Sequence, residues 1–160
     1  MASVVTPPSA FRASNGVVAN ASVTGTLAET ELATATLTGA QYETGSFIQI
    51  PFSARMTAAM IASCALRIRL GTIAGTILGA FNVTATQTQG RGWIWTYIRT
   101  ATSLRVFNGP NLLGGTANAV LADVVITAGQ PLAFVFSATL GNVADQVNTD
   151  YVQALAWKVS

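Results

Sequence analysis

The stretch ALRIRLGTIAGTILGAF, residues 65–81, decides the fold because it reads as two β-strands joined by a glycine-bearing turn. Aliphatic residues alternate with Arg67 and Arg69, and this period of two places both guanidinium groups on one face of a strand. Gly71 and Gly75 mark the turn before the apolar run resumes. A membrane helix is disfavoured, since each central arginine costs about 2.5–3.5 kcal/mol on insertion scales. A phosphate-binding loop is excluded because the glycine spacing is wrong and no lysine follows the second glycine.

The rest of the chain repeats this alternation, with turn residues between the apolar runs roughly every 8–15 residues. This spacing predicts an all-β protein, a single jelly-roll-like β-sandwich of about 8–10 antiparallel strands over residues 21–160. Residues 1–20, which contain Pro7-Pro8 and the turn signal Asn15-Gly16, are predicted to form an extended N-terminal arm. The predicted strands are 17–27, 30–38, 45–56, 65–71, 76–85, 91–100, 103–110, 119–130, 131–141 and 148–160.

Two segments leave the strand assignment open. Pro51 removes a ladder donor within 45–56, which favours an edge strand or a bulge. The segment MTAAMIASCA, residues 56–65, contains good helix formers and is compatible with a helical turn. Its Cys64 lies among apolar residues and is expected to be buried, and a lone cysteine excludes a disulfide within the chain.

The composition predicts that much of the surface is covered by a partner or by copies of the chain. Hydrophobic residues make up 51% and charged residues 9% of the sequence, against about 25% charged in typical domains. Such a surface resembles an obligate interface. The seven arginines and one lysine are scattered, whereas a nucleic-acid binder concentrates its charge in a patch, so no nucleic-acid partner is expected. The first residues lack the pattern of a secretory signal.

The sequence offers little catalytic or metal-binding chemistry. It contains no histidine, the usual general base and imidazole ligand, so we expect no enzyme activity and no catalytic, cofactor or metal site. Glu29 and Glu31 share a strand face and form a candidate carboxylate pair for glycoside hydrolysis, although a solvated strand edge explains them more simply. The segment 141–150 is expected to be a polar turn, since its oxygen-bearing residues lack the spacing of a calcium loop. Those residues are Asn142, Asp145, Asn148 and Asp150.

Alternating aromatic residues suggest a binding surface. Trp93, Trp95 and Tyr97 share one face of a predicted strand, where they form either a stacking platform for bases or sugars or a set of core or interface anchors. Together with Arg67 and Arg69, they are our candidate subunit-interface residues. Replacing both arginines by alanine is expected to weaken assembly rather than folding of the monomer.

Several segments, taken in order, carry a resemblance to a known class. They are ETELATATLT (29–38), LRIRLGTIAGTIL (66–78), GWIWTYIRT (92–100), LRVFNG (104–109), ITAGQPLAFVFSATLGNVADQV (126–147) and the closing YVQALAWKVS. This series resembles the jelly-roll modules of tailed-bacteriophage virion proteins over roughly residues 22–160. The chain is more aliphatic and less charged than typical members of that class.

The resemblance implies a structural protein, commonly trimeric, and it carries no site residues to this chain. We therefore expect a capsid decoration (cement) protein that assembles in the host cytoplasm, binds the major capsid protein and lies on the particle surface as a homotrimer. The arm 1–20 would help to attach it to the shell. The alternative is a receptor- or glycan-binding module of a head or tail fibre. A polysaccharide-degrading enzyme is a third hypothesis, resting on the two glutamates alone. No membrane partner is expected.

Overall fold

The computed structural model describes residues 13–17, 21–56, 60–107, 115–119 and 123–158, with 13–17 and 115–119 described by their backbone alone. Within these ranges the chain forms twelve β-strands, and all of the pairings are antiparallel. The strands are β1 (Ala13–Val17), β2 (Ser22–Thr24), β3 (Thr30–Leu37), β4 (Ser46–Met56), β5 (Cys64–Leu70), β6 (Thr76–Val83), β7 (Gln89–Thr100), β8 (Ser103–Phe107), β9 (Gly115–Ala119), β10 (Asp123–Val125), β11 (Leu132–Thr139) and β12 (Gln146–Lys158).

The strands form two sheets that face each other. Sheet A has the order β1-β12-β4-β7-β8-β10, with β2 also paired to β12, and sheet B has the order β3-β11-β5-β6-β9. The chain crosses repeatedly between the sheets, since β5 and β6 of sheet B lie between β4 and β7 of sheet A in sequence. The predicted all-β, jelly-roll-like sandwich is confirmed. Short strands such as β2 and β10 raise the count above the predicted 8–10.

Apolar side chains from both sheets fill the space between them. Phe52 of β4 packs against Phe81 of β6 and Phe136 of β11, with ring centroids 4.8 and 5.0 Å apart. At Gly79 the sheets approach so closely that an added Cβ would lie 2.5 Å from the Cδ1 atom of Ile94. The absence of a side chain at position 79 therefore sets the local distance between the sheets.

The stretch that decides the fold is the hairpin of β5 and β6, as predicted. Arg67 pairs with Ala80 across the hairpin. Gly71 has a φ of 91°, a left-handed conformation that favours glycine. A Cβ on Gly75 would lie 1.9 Å from the Leu70 carbonyl oxygen, so only glycine fits the turn at that position.

The expectation of an edge strand at Pro51 is wrong. Strand β4 lies inside sheet A, paired with β12 on one side and β7 on the other. Proline is accommodated because the ladder to β12 is interrupted at Ile50 and Pro51. A register shift does occur nearby, but it lies in β12, between Thr149 and Tyr151.

The two termini of the ambiguous segment 56–65 are in strands rather than in a helix. Met56 ends β4, residues 61–62 form a bend, and β5 begins at Cys64, while residues 57–59 lie outside the described ranges. Cys64 is buried as expected, and burial together with the nearby Asp145 charge raises the pKa of its thiol to about 11. No helix suited to crossing a membrane is found in the described part of the chain.

Part of the predicted N-terminal arm belongs to the sandwich. Residues 13–17 form β1, which extends sheet A by pairing with β12 from Ala13 opposite Ala156 to Val17 opposite Val152. The rest of the predicted arm, residues 1–12 and 18–20, lies outside the described residues.

Candidate functional site

The outer face of sheet A carries a cluster of aromatic side chains. Along β4, β7 and β12 the inward residues are buried, whereas the outward residues are mostly half-buried and mix aromatic with polar side chains. This alternation follows from the period of two in a strand. We use the term aromatic face for the residues Phe47, Trp93, Trp95, Tyr97, Phe107 and Trp157.

Strand register brings these rings into contact. Phe47 of β4 lies opposite Tyr97 of β7 and opposite Trp157 of β12, and Trp95 lies opposite Phe107 of β8. The centroids of Phe47 and Tyr97 are 4.9 Å apart, and Trp95 meets Trp157 edge to face at 5.1 Å. Aromatic pairs of this kind contribute about 0.5–1.5 kcal/mol beyond the area they bury. The rings therefore hold one another in place before any partner arrives.

The aromatic face contains every tryptophan of the chain, since the sequence has three. Trp93 lies opposite Pro51, so the apolar surface continues along β4. Gln49 lies opposite Trp95 on one side and Leu155 on the other. The amide group of Gln49 is thus set among rings and aliphatic side chains.

Ion pairs within the chain border the aromatic face. Beyond β8, Asp123 accepts hydrogen bonds from Arg105 at 2.8 and 3.0 Å and from Arg99 at 2.7 Å. The bond from Arg105 is the main cause that lowers the pKa of Asp123 to about 2. At the end of β12, Lys158 lies 3.2 Å from Glu43. Exposed ion pairs of this kind contribute little to stability. Their consequence here is that these charged side chains at the edge of the aromatic face are already paired within the chain.

The candidate interface residues fall on opposite outer faces of the sandwich. Trp93, Trp95 and Tyr97 lie on sheet A, whereas Arg67 and Arg69 lie on sheet B. The structure therefore does not bring the five residues together in one monomer. Their assignment to a subunit interface stays a prediction.

Arg69 has an intramolecular partner that the sequence analysis did not identify. Its Nε and Nη2 atoms each lie 2.7 Å from a carboxylate oxygen of Glu29, and its Nη1 donates to the Gly75 carbonyl at 2.8 Å. Buried Ser137 also donates to Glu29, at 2.5 Å. The hydrogen bond from Arg69 is the largest cause that lowers the pKa of Glu29.

Arg67 is held more loosely in the same cluster. Its Nη1 atom lies 3.3 Å from Glu29 and donates to the Thr139 hydroxyl at 2.6 Å. Glu31, the other member of the candidate carboxylate pair, instead accepts a hydrogen bond from Thr34 at 2.7 Å. Glu29 is thus paired with two arginines and Glu31 with a threonine, so the two glutamates have separate partners.

The segment 141–150, predicted to be a polar turn, is a turn only over residues 141–145, and its second half is the start of β12. Asp145 is 1% exposed and accepts backbone hydrogen bonds from Ile61 and Ala62 at 2.7 and 3.0 Å. Asp150 accepts bonds from Ser53 and Arg55 at 3.0 and 2.5 Å. Across the residues with described placement, no group of three or more Cys, Asp or Glu side chains is arranged to hold a metal ion.

Half of the aromatic face was missed by sequence reasoning. Phe47, Phe107 and Trp157 sit on three different strands, and only the strand order reveals that they adjoin Trp95 and Tyr97. The signal that could have found them is the alternation along each strand, in which each of these residues takes an outward position next to buried residues.

Comparison with known proteins gives similarity of fold only. No protein-family model and no curated protein matches the chain. The carbohydrate-binding module CBM36, solved with calcium and xylotriose, is 12% identical, with a TM-score of 0.38 and coverage of 86% of this chain and 96% of that one. A second, CsCBM6-3 from Clostridium stercorarium with cellobiose, is 16% identical, with a TM-score of 0.31 and coverage of 92% and 88%.

A third similar structure comes from a bacteriophage. It is the carbohydrate esterase vb_24B_21 of the Shiga toxin-encoding phage phi24B, which is 11% identical, with a TM-score of 0.34 and coverage of 91% of this chain and 90% of that one. At these identities and scores the likeness is confined to the general sandwich architecture.

Proposed function

We propose that this protein is a structural virion protein of the capsid-decoration type, which assembles as a homotrimer and binds the major capsid protein. The assignment to virion proteins rests on the series of sequence segments that, taken in order, resembles tailed-bacteriophage jelly-roll modules. The binding role rests on one structural observation, which is the cluster of aromatic side chains on the outer face of sheet A.

In a two-layer sandwich each sheet needs one apolar face, and the outer face is ordinarily polar. Strands β4 and β7 depart from this pattern. Phe47 and Tyr97 point away from the core, while Ile48 and Ile98 next to them are buried in it. Apolar residues on both faces are typical of a sheet that is covered on both sides. The aromatic face is therefore expected to be covered in the working assembly.

The chemistry of the aromatic face favours a protein as its cover. Aromatic residues are enriched at the centres of protein interfaces, and tryptophan and tyrosine are the commonest residues of high energetic importance there. The bordering ion pairs, such as Arg105 with Asp123 and Lys158 with Glu43, are formed inside the chain. Because these charges already neutralise each other, the edge of the aromatic face suits a partner without an excess of charge. Another copy of the chain is such a partner.

The assembly step is tested by analytical ultracentrifugation across a dilution series. The wild-type chain is expected to sediment as a trimer, and Trp95→Ala should weaken association by at least about 30-fold, the equivalent of an interface hot spot. Ile61→Ser is the matched control, because Ile61 is 63% exposed and lies in the connection after Met56, whereas Phe47 is at the other end of β4. A wild-type chain that stays monomeric throughout would refute the self-association.

The capsid step is tested with particles that lack the protein. Purified protein should co-sediment with such particles, and the decorated particles should release DNA at a higher temperature, because a ligand that binds only the assembled state stabilises it. Equal release temperatures with and without bound protein would contradict a cement role.

A glycan-binding function is the second candidate, and Gln49 is the observation that favours it. Its half-buried amide lies between Trp95 and Leu155. An amide has both donors and an acceptor for hydroxyl groups, and the neighbouring indole offers a flat apolar surface to a sugar ring. A glycan array followed by calorimetry tests this candidate. Binding that is lost in Gln49→Ala but retained in Ile61→Ser would support it, and an array without binders would exclude it.

A further inference from the structure

We propose that residues 1–12 of one copy bind across the aromatic face of a neighbouring copy. The proposal rests on the self-association proposed above and names the segment that covers the face. Three observations carry it, which are where β1 enters the sheet, how far residues 1–12 reach, and which residues they contain.

The register of β1 places the N-terminal segment near the aromatic face. Ala13 lies opposite Ala156, and the two strands are antiparallel. The direction of β1 at Ala13 therefore points past Trp157 and Lys158, toward the end of sheet A where Phe47 and Trp157 lie. The segment leaves the described structure beside the surface that needs a cover.

The direction of β1 favours a neighbouring copy over the chain's own face. The three residues 10–12, Ala-Phe-Arg, contain no glycine, proline, asparagine, aspartate or serine, the residues that dominate turns. If these three residues continued the direction of β1 in an extended conformation, they would carry the chain roughly 10 Å beyond Ala13. Pro7 and Pro8 would then lie past Lys158, the last residue of β12.

The composition of the segment suits the face. Residues 1–11 carry no charged side chain and include Val4, Val5, Pro7 and Pro8. A proline pair favours the polyproline II conformation, which aromatic-lined surfaces bind at low entropic cost. Crossing from β12 to β8 spans three strand spacings, roughly 14 Å. About five residues at about 3.1 Å each cover that distance.

Tryptophan fluorescence gives a direct readout, because all three tryptophans lie on the aromatic face. We compare the full chain with a variant that lacks residues 1–12, both at a concentration where the full chain is assembled. The deletion should shift the emission maximum to longer wavelength, increase quenching by acrylamide and weaken association by at least about 30-fold. A synthetic peptide of residues 1–12 should reverse the spectral change.

A second variant keeps the chain length intact. Pro7→Ala with Pro8→Ala should reproduce part of the fluorescence shift and the loss of association, whereas Ser9→Ala should behave as wild type. Far-UV circular dichroism of each variant checks that the sandwich is retained. Peptide rescue of the deletion variant would show that its face is intact.

The outcomes separate this proposal from the proposed function. A deletion variant that keeps both its trimer and its emission spectrum would overturn the role of residues 1–12 and leave self-association standing. A full chain whose emission stays unchanged on dilution to the monomer, but shifts on deletion, would place the segment on its own face and overturn exchange between copies. A full chain that is monomeric at every concentration would refute both proposals.

Discussion

Replacing Arg69 by alanine should destabilise the folded monomer, and replacing Arg67 should do so much less. Arg69 donates two hydrogen bonds of 2.7 Å to Glu29, and the two side chains are 14% and 20% exposed. Breaking a buried pair costs about 3–5 kcal/mol because one charge is left without a partner, whereas an exposed pair contributes about 0.2–1 kcal/mol. The limited exposure places Arg69→Ala nearer the first case, and we expect a loss of about 2–3 kcal/mol.

The comparison with Arg67 makes the prediction quantitative. Arg67 is 24% exposed and lies 3.3 Å from Glu29, so its replacement should cost about 1 kcal/mol or less. In urea, with a slope of about 2 kcal/mol per molar for a chain of this length, Arg69→Ala should lower the unfolding midpoint by about 1–1.5 M and Arg67→Ala by about 0.5 M or less. Glu29→Gln completes a double-mutant cycle with Arg69→Ala, in which the combined loss should be smaller than the sum.

Equal midpoint shifts for the two arginine variants would refute this reasoning, as would an additive cycle. The prediction also refines the one drawn from sequence, in which both arginines served assembly and not folding. Sedimentation of the same variants measures assembly separately, so each residue can be assigned to folding, to association or to both.

Three further predictions concern pH and packing. The pKa of Glu29 is lowered in the fold, so the contribution of its charged form to stability is complete above about pH 4.5 and is lost as the pH falls below that value. Urea midpoints measured from pH 6 to pH 3 should therefore fall less steeply in Glu29→Gln than in wild type. Thr96 is buried and its hydroxyl has no partner among the described residues, so Thr96→Val should raise the free energy of unfolding by about 1 kcal/mol, and a loss would contradict this account. Gly79→Ala should lower the thermal midpoint through its contact with Ile94, at a cost of about 1–3 kcal/mol, and adding Ile94→Val should restore part of the loss.

Local patterns in the sequence were sufficient to predict the strands and the class of fold. The alternation around Arg67 and the glycines that follow it predicted the β5–β6 hairpin, and the structure has it over nearly the same residues. Pro51 favoured an edge strand or a bulge, and the edge alternative is wrong because the single N–H that proline lacks faces one neighbouring strand only, and the ladder to β12 is interrupted there. The interruption of the ladder to β12 at this point depends on a strand about 100 residues later.

The binding surface was predicted only where its residues share a strand. Trp93, Trp95 and Tyr97 are alternate residues of β7 and were recognisable as one face. Phe47 and Trp157 join them through strand order, which hydrophobic periodicity does not encode. The partnership of Arg69 with Glu29 was missed for the same reason, since Glu29 precedes β3 and Arg69 lies in β5, 40 residues later.

The strand order also determines when the protein can fold during its synthesis. Strand β11 lies between β3 and β5, and β12 lies between β1 and β4, so the two last strands in the chain occupy interior positions of both sheets. At about 5–20 residues per second, β3 is synthesised roughly 5–20 seconds before β11. During that interval the edges of β3, β4 and β5 are open to pairing with other chains. Nascent copies made side by side on one messenger RNA are therefore exposed to mutual strand pairing until the final strands insert.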